Sequence, residues 1–334
     1  MKPLNRIKLI IYTILLCSTI IALSSTNILI VWLCLELNLF SFVPLLLRDR
    51  TNKETEASIT YFLAQALGST LFLLRGALLL TIFWSKTYRI VVLIFSMIIK
   101  IGAAPCHYWY PITIELIRWI NCFILSTWQK IAPLSILVYI ITPNTKKTIL
   151  LISIASSLSA VLGGISGLSQ RSLKKIIAYS SITHIGWILR RPIIKIPHLS
   201  TIYLFLYSIL RLPLFISFYK IKNNKVADLW HKQSIPTLSI IIISVMFLSL
   251  AGLPPLTGFI PKLLILYKLI DHSIILRALL VLGSLINLFF YLNICLNILI
   301  RNQQFRTNKK YYTPLDTRIS IILPLNLIRL FILL

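Results

Sequence analysis

The chain has 334 residues, of which 57% are hydrophobic and 13% charged, with a mean hydropathy of +0.88. That composition belongs to proteins that live in lipid and excludes an ordinary water-soluble domain. Lys and Arg number 34 against 8 Asp and Glu, a formal charge of +26. The basic residues stand mostly in short gaps between apolar runs, where such an excess sets topology and meets anionic lipid headgroups. No basic segment interleaved with aromatics is present, so nucleic acid is excluded as a partner.

The start, Met1 to Lys8 followed by Leu9 to Leu23, has the basic-then-apolar outline of a secretory signal. It reads instead as a first span, because further spans come at once. Apolar runs bounded by charges, Pro, Gly and Asn predict about eleven helices, each near the ~20 residues a bilayer requires. The first five fall near 9–24, 27–47, 57–84, 90–115 and 119–141. The next five fall near 148–168, 173–190, 199–219, 236–268 and 273–300, with a final helix near 319–334. The fold class is therefore an all-α integral membrane protein, with 1–334 a single transmembrane domain made of two five-helix sets, 9–141 and 148–300, and a last helix.

Two of these helices carry breaks. Lys100-Ile-Gly-Ala-Ala-Pro105 puts a Gly and a helix-interrupting Pro inside the fourth, and Ala251-Gly-Leu-Pro-Pro-Leu-Thr-Gly258 does the same in the ninth. Backbone opened at membrane depth must be buried in protein or line a wet cavity, since lipid cannot satisfy its polar groups. Each break falls in the fourth member of its set, and five being odd, two such sets have opposite orientation in the membrane. Basic residues number about 18 in the loops on the N-terminal side and about nine in the others. The N-terminus is thus expected to face the more negative compartment, and the odd helix number puts the C-terminus opposite.

A charge at mid-span costs about 2.5 to 3.5 kcal/mol, so each needs a reason. Glu36 lies near the middle of the second span, Lys130 near the middle of the fifth, and Lys100 and Lys262 beside the two breaks. A purely structural account pairs Glu36 with one lysine and lets the others snorkel to the headgroups, Lys262 most easily. The functional account has these groups face an internal polar axis and exchange protons, because burial without full pairing weakens a lysine's hold on its proton. No carboxylate cluster offers a metal cage. His184, flanked by Ser180, Ser181 and Thr183, suits either a proton relay or a hydrogen-bonded packing role.

Five cysteines, Cys17, Cys34, Cys106, Cys122 and Cys295, are scattered singly and read as small core residues rather than cluster ligands. His184 and His198 are separated by Arg190, Arg191, Pro192 and Pro197, which no haem-binding membrane helix would carry. No metal and no haem is expected. Arg75, Arg190, Arg191 and Arg211 sit in apolar runs, and only Met1, Met97 and Met246 are methionine. Both facts fit an organelle code that reads a common isoleucine codon as methionine and some arginine codons as serine, which would place serine at some of the four positions.

The run from Gly163 to Trp187, Gly-Gly-Ile-Ser-Gly-Leu-Ser-Gln-Arg-Ser-Leu-Lys-Lys-Ile-Ile-Ala-Tyr-Ser-Ser-Ile-Thr-His-Ile-Gly-Trp, resembles the signature of the proton-conducting membrane transporter family. That family joins antiporter-like subunits of respiratory complex I to Mrp-type cation/proton antiporters. Further stretches resemble the complex I branch: Trp32 to Pro44, Glu56 to Gln65, Lys100 to Trp109, Thr127 to Leu134 and Ser249 to Lys262. The match runs from about residue 9 to 300. It implies a family fold of fourteen helices with two inverted five-helix repeats, shortened in most animals by the first three. It also implies that Glu36 and Lys100 match an acid–lysine pair, Lys130 a central lysine, and Lys262 the lysine of the second broken helix.

By the same resemblance the chain carries no redox centre. NADH, FMN, iron–sulfur clusters and ubiquinone would be handled by other subunits, and protons would cross here. The expected partners are other complex I membrane subunits, lipid and protons. The expected place is the inner mitochondrial membrane, N-terminus to the matrix and C-terminus to the intermembrane side. A stand-alone cation/proton antiporter is the alternative, since it shares the residue chemistry.

Overall fold

The computed structural model describes residues 3–47, 51–78, 86–141, 146–190, 197–221, 237–254, 256–269 and 274–306. The first half runs α1 (Pro3–Ser24), α2 (Ile28–Leu46), α3 (Asn52–Leu78), α4 (Lys86–Ile101), α5 (Trp109–Leu116), α6 (Trp119–Ser126), a 3-10 turn (Trp128–Lys130) and α7 (Ile131–Ile141). The second runs α8 (Lys146–Leu168), α9 (Leu173–Arg190), α10 (Pro197–Ile221), α11 (Thr237–Ala251), α12 (Phe259–Lys268) and α13 (Ile274–Arg306). No strand occurs among the described residues. Each segment expected between 9 and 300 contains helix among its described residues, while the expected last helix at 319–334 and most of the Lys220–Lys232 loop lie outside the described residues.

Seven of the described helical segments are long and apolar enough to cross a membrane. The helices are inside-out relative to those of a soluble protein. On α2, Leu29, Leu33, Leu37 and Phe40 are 51–59% exposed, while Asn38 and Ser41 are buried. The outward stripe is fully apolar and the inward face holds the polar atoms, the arrangement lipid demands. Hydroxyls inside the bundle bond back to their own helix, as Ser41 Oγ does to the Asn38 carbonyl at 2.8 Å and Ser96 Oγ to Leu93 at 2.7 Å, so their donors are satisfied without water.

The chain divides into two compact units, 1–158 with 189–201, and 159–188 with 202–334. In the first, α2 packs on α1 and α3, α3 on both halves of the first broken helix, and α4 on α7. Thr51 Oγ1 accepts the Glu54 amide at 3.4 Å to start α3, half of a capping box. The Glu54 carboxylate turns instead to Arg118, at 3.0 Å. Asn121 Nδ2 donates to the Leu45 carbonyl at 2.7 Å. Leu45 lies in the last turn of α2, where carbonyls lack helical partners, so the asparagine caps an open helix end.

In the second unit, α11 packs on α13 and on α12. Glycines let α8 approach α13: a Cβ on Gly164 would come 3.1 Å from the Ile286 Cβ, and one on Gly167 3.0 Å from the Phe290 ring. Asn287 Nδ2 donates to Thr183 Oγ1, tying α13 to α9.

Both expected breaks are present, at 102–108 and, among the described residues, at 252–254 and 256–258. The fifth span, expected as one helix over 119–141, carries a further interruption. Thr127 leaves helical geometry at φ −120° and ψ −69° and the chain makes one 3-10 turn before α7. Pro133 supplies the cause, because it has no N–H for the Gln129 carbonyl and its ring crowds that carbonyl.

Candidate proton-transfer site

The first break is built by a Schellman turn. Gly102, at φ 73°, donates to the Ile98 and Ile99 carbonyls at 3.1 Å, and Ala103 donates to Ile98 at 3.1 Å. Only glycine takes that φ without strain. The turn still leaves carbonyls to satisfy, and distant side chains do it. Trp109 Nε1 donates to Ile99 at 3.1 Å and Gln65 Nε2 to the Lys100 carbonyl at 3.1 Å. Lys100 itself is 5% exposed. Its stem lies against Gly68, where a Cβ would come 2.7 Å from the Lys100 Cγ. Any larger residue at 68 would push the lysine aside.

Glu36 projects from α2 and is half-buried. It forms no ion pair with Lys100, their charged atoms lying more than 4.0 Å apart. A direct pair between the two is therefore absent in this geometry. Two residues on from Glu36, Asn38 Oδ1 accepts from Gln129 Nε2 at 2.9 Å. Gln129 belongs to the 3-10 turn, and so does Lys130.

Lys130 is 3% exposed. Its ammonium donates to the Tyr110 hydroxyl at 3.1 Å and stands 4.3 Å from the centre of that ring. Tyr110 is fully buried in the first turn of α5. The amine is thus held between two interruptions, its own 3-10 turn and the break that launches α5.

The second break repeats the turn with a different cap. Gly252, at φ 84°, donates to Leu248 and Ser249 at 3.2 and 3.1 Å, and Leu253 donates to Leu248 at 3.4 Å. Lys262, from the helix beyond the break, then reaches back and donates to the Ala251 carbonyl at 2.6 Å, with Leu250 at 3.5 Å. It is 5% exposed, so it does not snorkel. Its positive charge meets the negative end of α11, the favourable orientation for a helix dipole. Gly258 closes the turn against the Ser249 carbonyl, which a Cβ there would overlap.

His184, 5% exposed on α9, bonds through Nδ1 to the Tyr203 hydroxyl at 2.7 Å, and its ring packs 4.8 Å from that of Tyr207. Arg211 lies on the Tyr207 ring at 4.5 Å. Glu36, Lys100 and Lys130 thus belong to the first unit, and Lys262 and His184 to the second. Sequence reasoning misses Tyr110, Gln65 and Tyr203. Pro133 is a readable signal for the turn at Lys130, whereas nothing in the spacing marks Tyr110 as its partner. The five cysteines are free thiols. Among the described residues no three His, Cys, Asp or Glu side chains gather in a metal-holding group.

Residues 25–287 match the family described as NADH:quinone oxidoreductase/Mrp antiporter, TM. A protein of Lumbricus terrestris named NADH-ubiquinone oxidoreductase chain 2 is 39% identical over 284 residues, covering 85% of this chain and 84% of its own. The protein of the same name from Peropteryx kappleri is 36% identical over 349 residues, covering 97% and 98%. Among solved structures, a chain of respiratory complex I from Thermus thermophilus superposes with a TM-score of 0.80 at 21% identity, covering 95% of this chain and 75% of that one. A chain of the Mrp complex from Dietzia sp. DQ12-45-1b gives 0.76 at 18% identity, covering 92% and 62%. With broken membrane helices, buried lysines and a family match over most of its length, the chain belongs to the NADH:quinone oxidoreductase/Mrp antiporter transmembrane family.

Proposed function

We propose that this chain is an antiporter-like membrane subunit of a respiratory NADH:ubiquinone oxidoreductase and carries protons across the inner mitochondrial membrane. The observation that supports this reading most is the burial of three lysines, 3–5% exposed, each at a backbone interruption in an apolar bundle. An ammonium in that position is expensive, and the same burial readies it to give up its proton. Glu36, Lys100, Lys130 and Lys262 are the carriers, with His184 and its Tyr203 partner as a relay. Arginine in their place would hold its proton at any physiological pH.

The chain itself binds no cofactor in this reading. Electrons pass from NADH through FMN and iron–sulfur clusters to ubiquinone on other subunits, and charge movement there drives the protons here. The N-terminus faces the matrix. A stand-alone cation/proton antiporter would use the same residues, but the Lumbricus and Peropteryx relatives are named as chains of NADH-ubiquinone oxidoreductase and match over 84–98% of their length. Native electrophoresis separates the two, because the subunit co-migrates with a very large assembly and an antiporter does not.

The decisive measurement is NADH-driven proton pumping and quinone reduction in membranes carrying Lys130→Met and Lys130→Arg. Methionine keeps the apolar stem and removes the titrating amine, so the complex assembles and coupled turnover falls about tenfold or more. Arginine keeps the charge and also fails. Normal coupled activity in the arginine variant would remove Lys130 from the relay.

A further inference from the structure

A group that carries a proton is served best by a neighbour that can meet both of its charge states. A lysine ammonium offers three donors and no acceptor, whereas the neutral amine offers two donors and one lone pair. A carbonyl neighbour suits only a donor, and a backbone N–H suits only the lone pair. A tyrosine hydroxyl suits both, since it accepts from the ammonium and donates to the amine by turning its own hydrogen about the C–O bond. The Tyr110 hydroxyl lies 3.1 Å from the Lys130 amine, inside a fully buried contact.

The ring itself is held in place by its neighbours. The Tyr110 Cβ lies 3.1 Å from where a Cβ on Gly102 would stand, so the residue sits directly on the first break. Trp109 packs edge-on to the ring at 5.7 Å and is anchored through Nε1 to Ile99, a carbonyl of the same break. Tyr61 of α3 packs against Trp109 in turn, at 5.9 Å. The hydroxyl position is therefore set by the broken helix.

We propose that Tyr110 is a positioning residue for proton transfer at Lys130, its hydroxyl reversing from acceptor to donor as the lysine loses its proton. The inference rests on Lys130 being a proton carrier. When Lys130 is charged, its N–H donates to the tyrosine oxygen. When its proton leaves along the chain, the tyrosine O–H turns to the vacated lone pair. Tyrosine keeps its proton throughout, no covalent bond beyond the transferred N–H is made or broken, and no side chain has to move. Because Tyr110 sits on the first break, a shift of that break also changes how well the neutral amine is held.

The test is Tyr110→Phe in the assembled complex, alone and combined with Lys130→Met. Phenylalanine retains the ring on the amine and on Gly102 and removes only the oxygen. The expected result is normal assembly, unchanged KM for NADH and quinone, and a fall of about tenfold in coupled turnover and pumping, the effect of one hydrogen bond to a charged group. In the double variant no further loss is expected beyond Lys130→Met, because both changes act on one proton step. Turnover is expressed per assembled complex, by bound flavin, so that an assembly defect is separated from a catalytic one. Wild-type turnover per complex in Tyr110→Phe overturns the proposal, as does a full additional loss in the double variant. If Lys130→Met alone pumps normally, the reading of Lys130 fails first, an outcome distinct from the other two.

Discussion

An amine buried in a lipid-facing bundle needs oxygen around it, and the buried lysines have different surroundings. Lys262 uses the carbonyls of a severed helix and Lys130 a phenol, while the stem of Lys100 lies against Gly68. Their positions are legible in the sequence, because any lysine in an apolar run is conspicuous. Their partners are not, since a carbonyl left open by a break or a tyrosine 20 residues before a lysine has no compositional mark. Buried arginines tell the opposite story. Half-buried Arg118 has a carboxylate at 3.0 Å, but Arg211 is fully buried with Nε and Nη1 lacking any hydrogen-bond partner among the described residues, and buried Arg190 shows the same. Each such donor costs about 1–3 kcal/mol. Serine would instead bond to its own helix, as Ser208 and Ser217 do on α10 at 2.7 and 2.8 Å. Peptide mass spectrometry of protein made in its own organelle is expected to show serine at 211 and 190, and an arginine mass at 211 would end that expectation. Arg191 lies outside the described residues.

At the scale of the element, helix ends in this chain are set by Gly and Pro, and they are legible from sequence according to how directly each acts. The segment 173–190 is expected and found as α9, and the two Gly–Pro breaks stand where their residues put them. The interruption at Lys130 is harder to read because Pro133 falls beyond it, and its effect is felt four residues upstream. Pro133→Ala tests that cause. Restoring the missing N–H should turn the three residues Trp128–Lys130 from 3-10 to α, which rotates α7 against α6 by about 60° and shortens the segment by about 1.5 Å. The 3.1 Å contact with Tyr110 would not survive such a rotation. The variant is expected to assemble and resist heat at least as well as the parent, while coupled turnover drops about fivefold or more. Equal turnover and pumping would show that the turn is incidental to Lys130.

For the whole molecule, the apolar helices suit it to a membrane and the basic loops carry an expectation of which way it faces. About twice as many basic residues lie in the loops on the N-terminal side, so that side is expected to face the matrix. Lys225→Cys, in a loop outside the described residues, is expected to react with an impermeant thiol reagent from the matrix side alone, and labelling only from the opposite side would reverse the topology. The way the breaks are capped also bears on how the chain enters the membrane. Gln65 precedes the Lys100 carbonyl it satisfies by 35 residues, Trp109 comes 10 after Ile99, and Lys262 comes 11 after Ala251. During synthesis from the N-terminus, each opened helix end therefore meets its cap either at once or within a few further turns of chain. Neither break has to wait in lipid, with bare carbonyls, beyond the first turn of the helix that follows it.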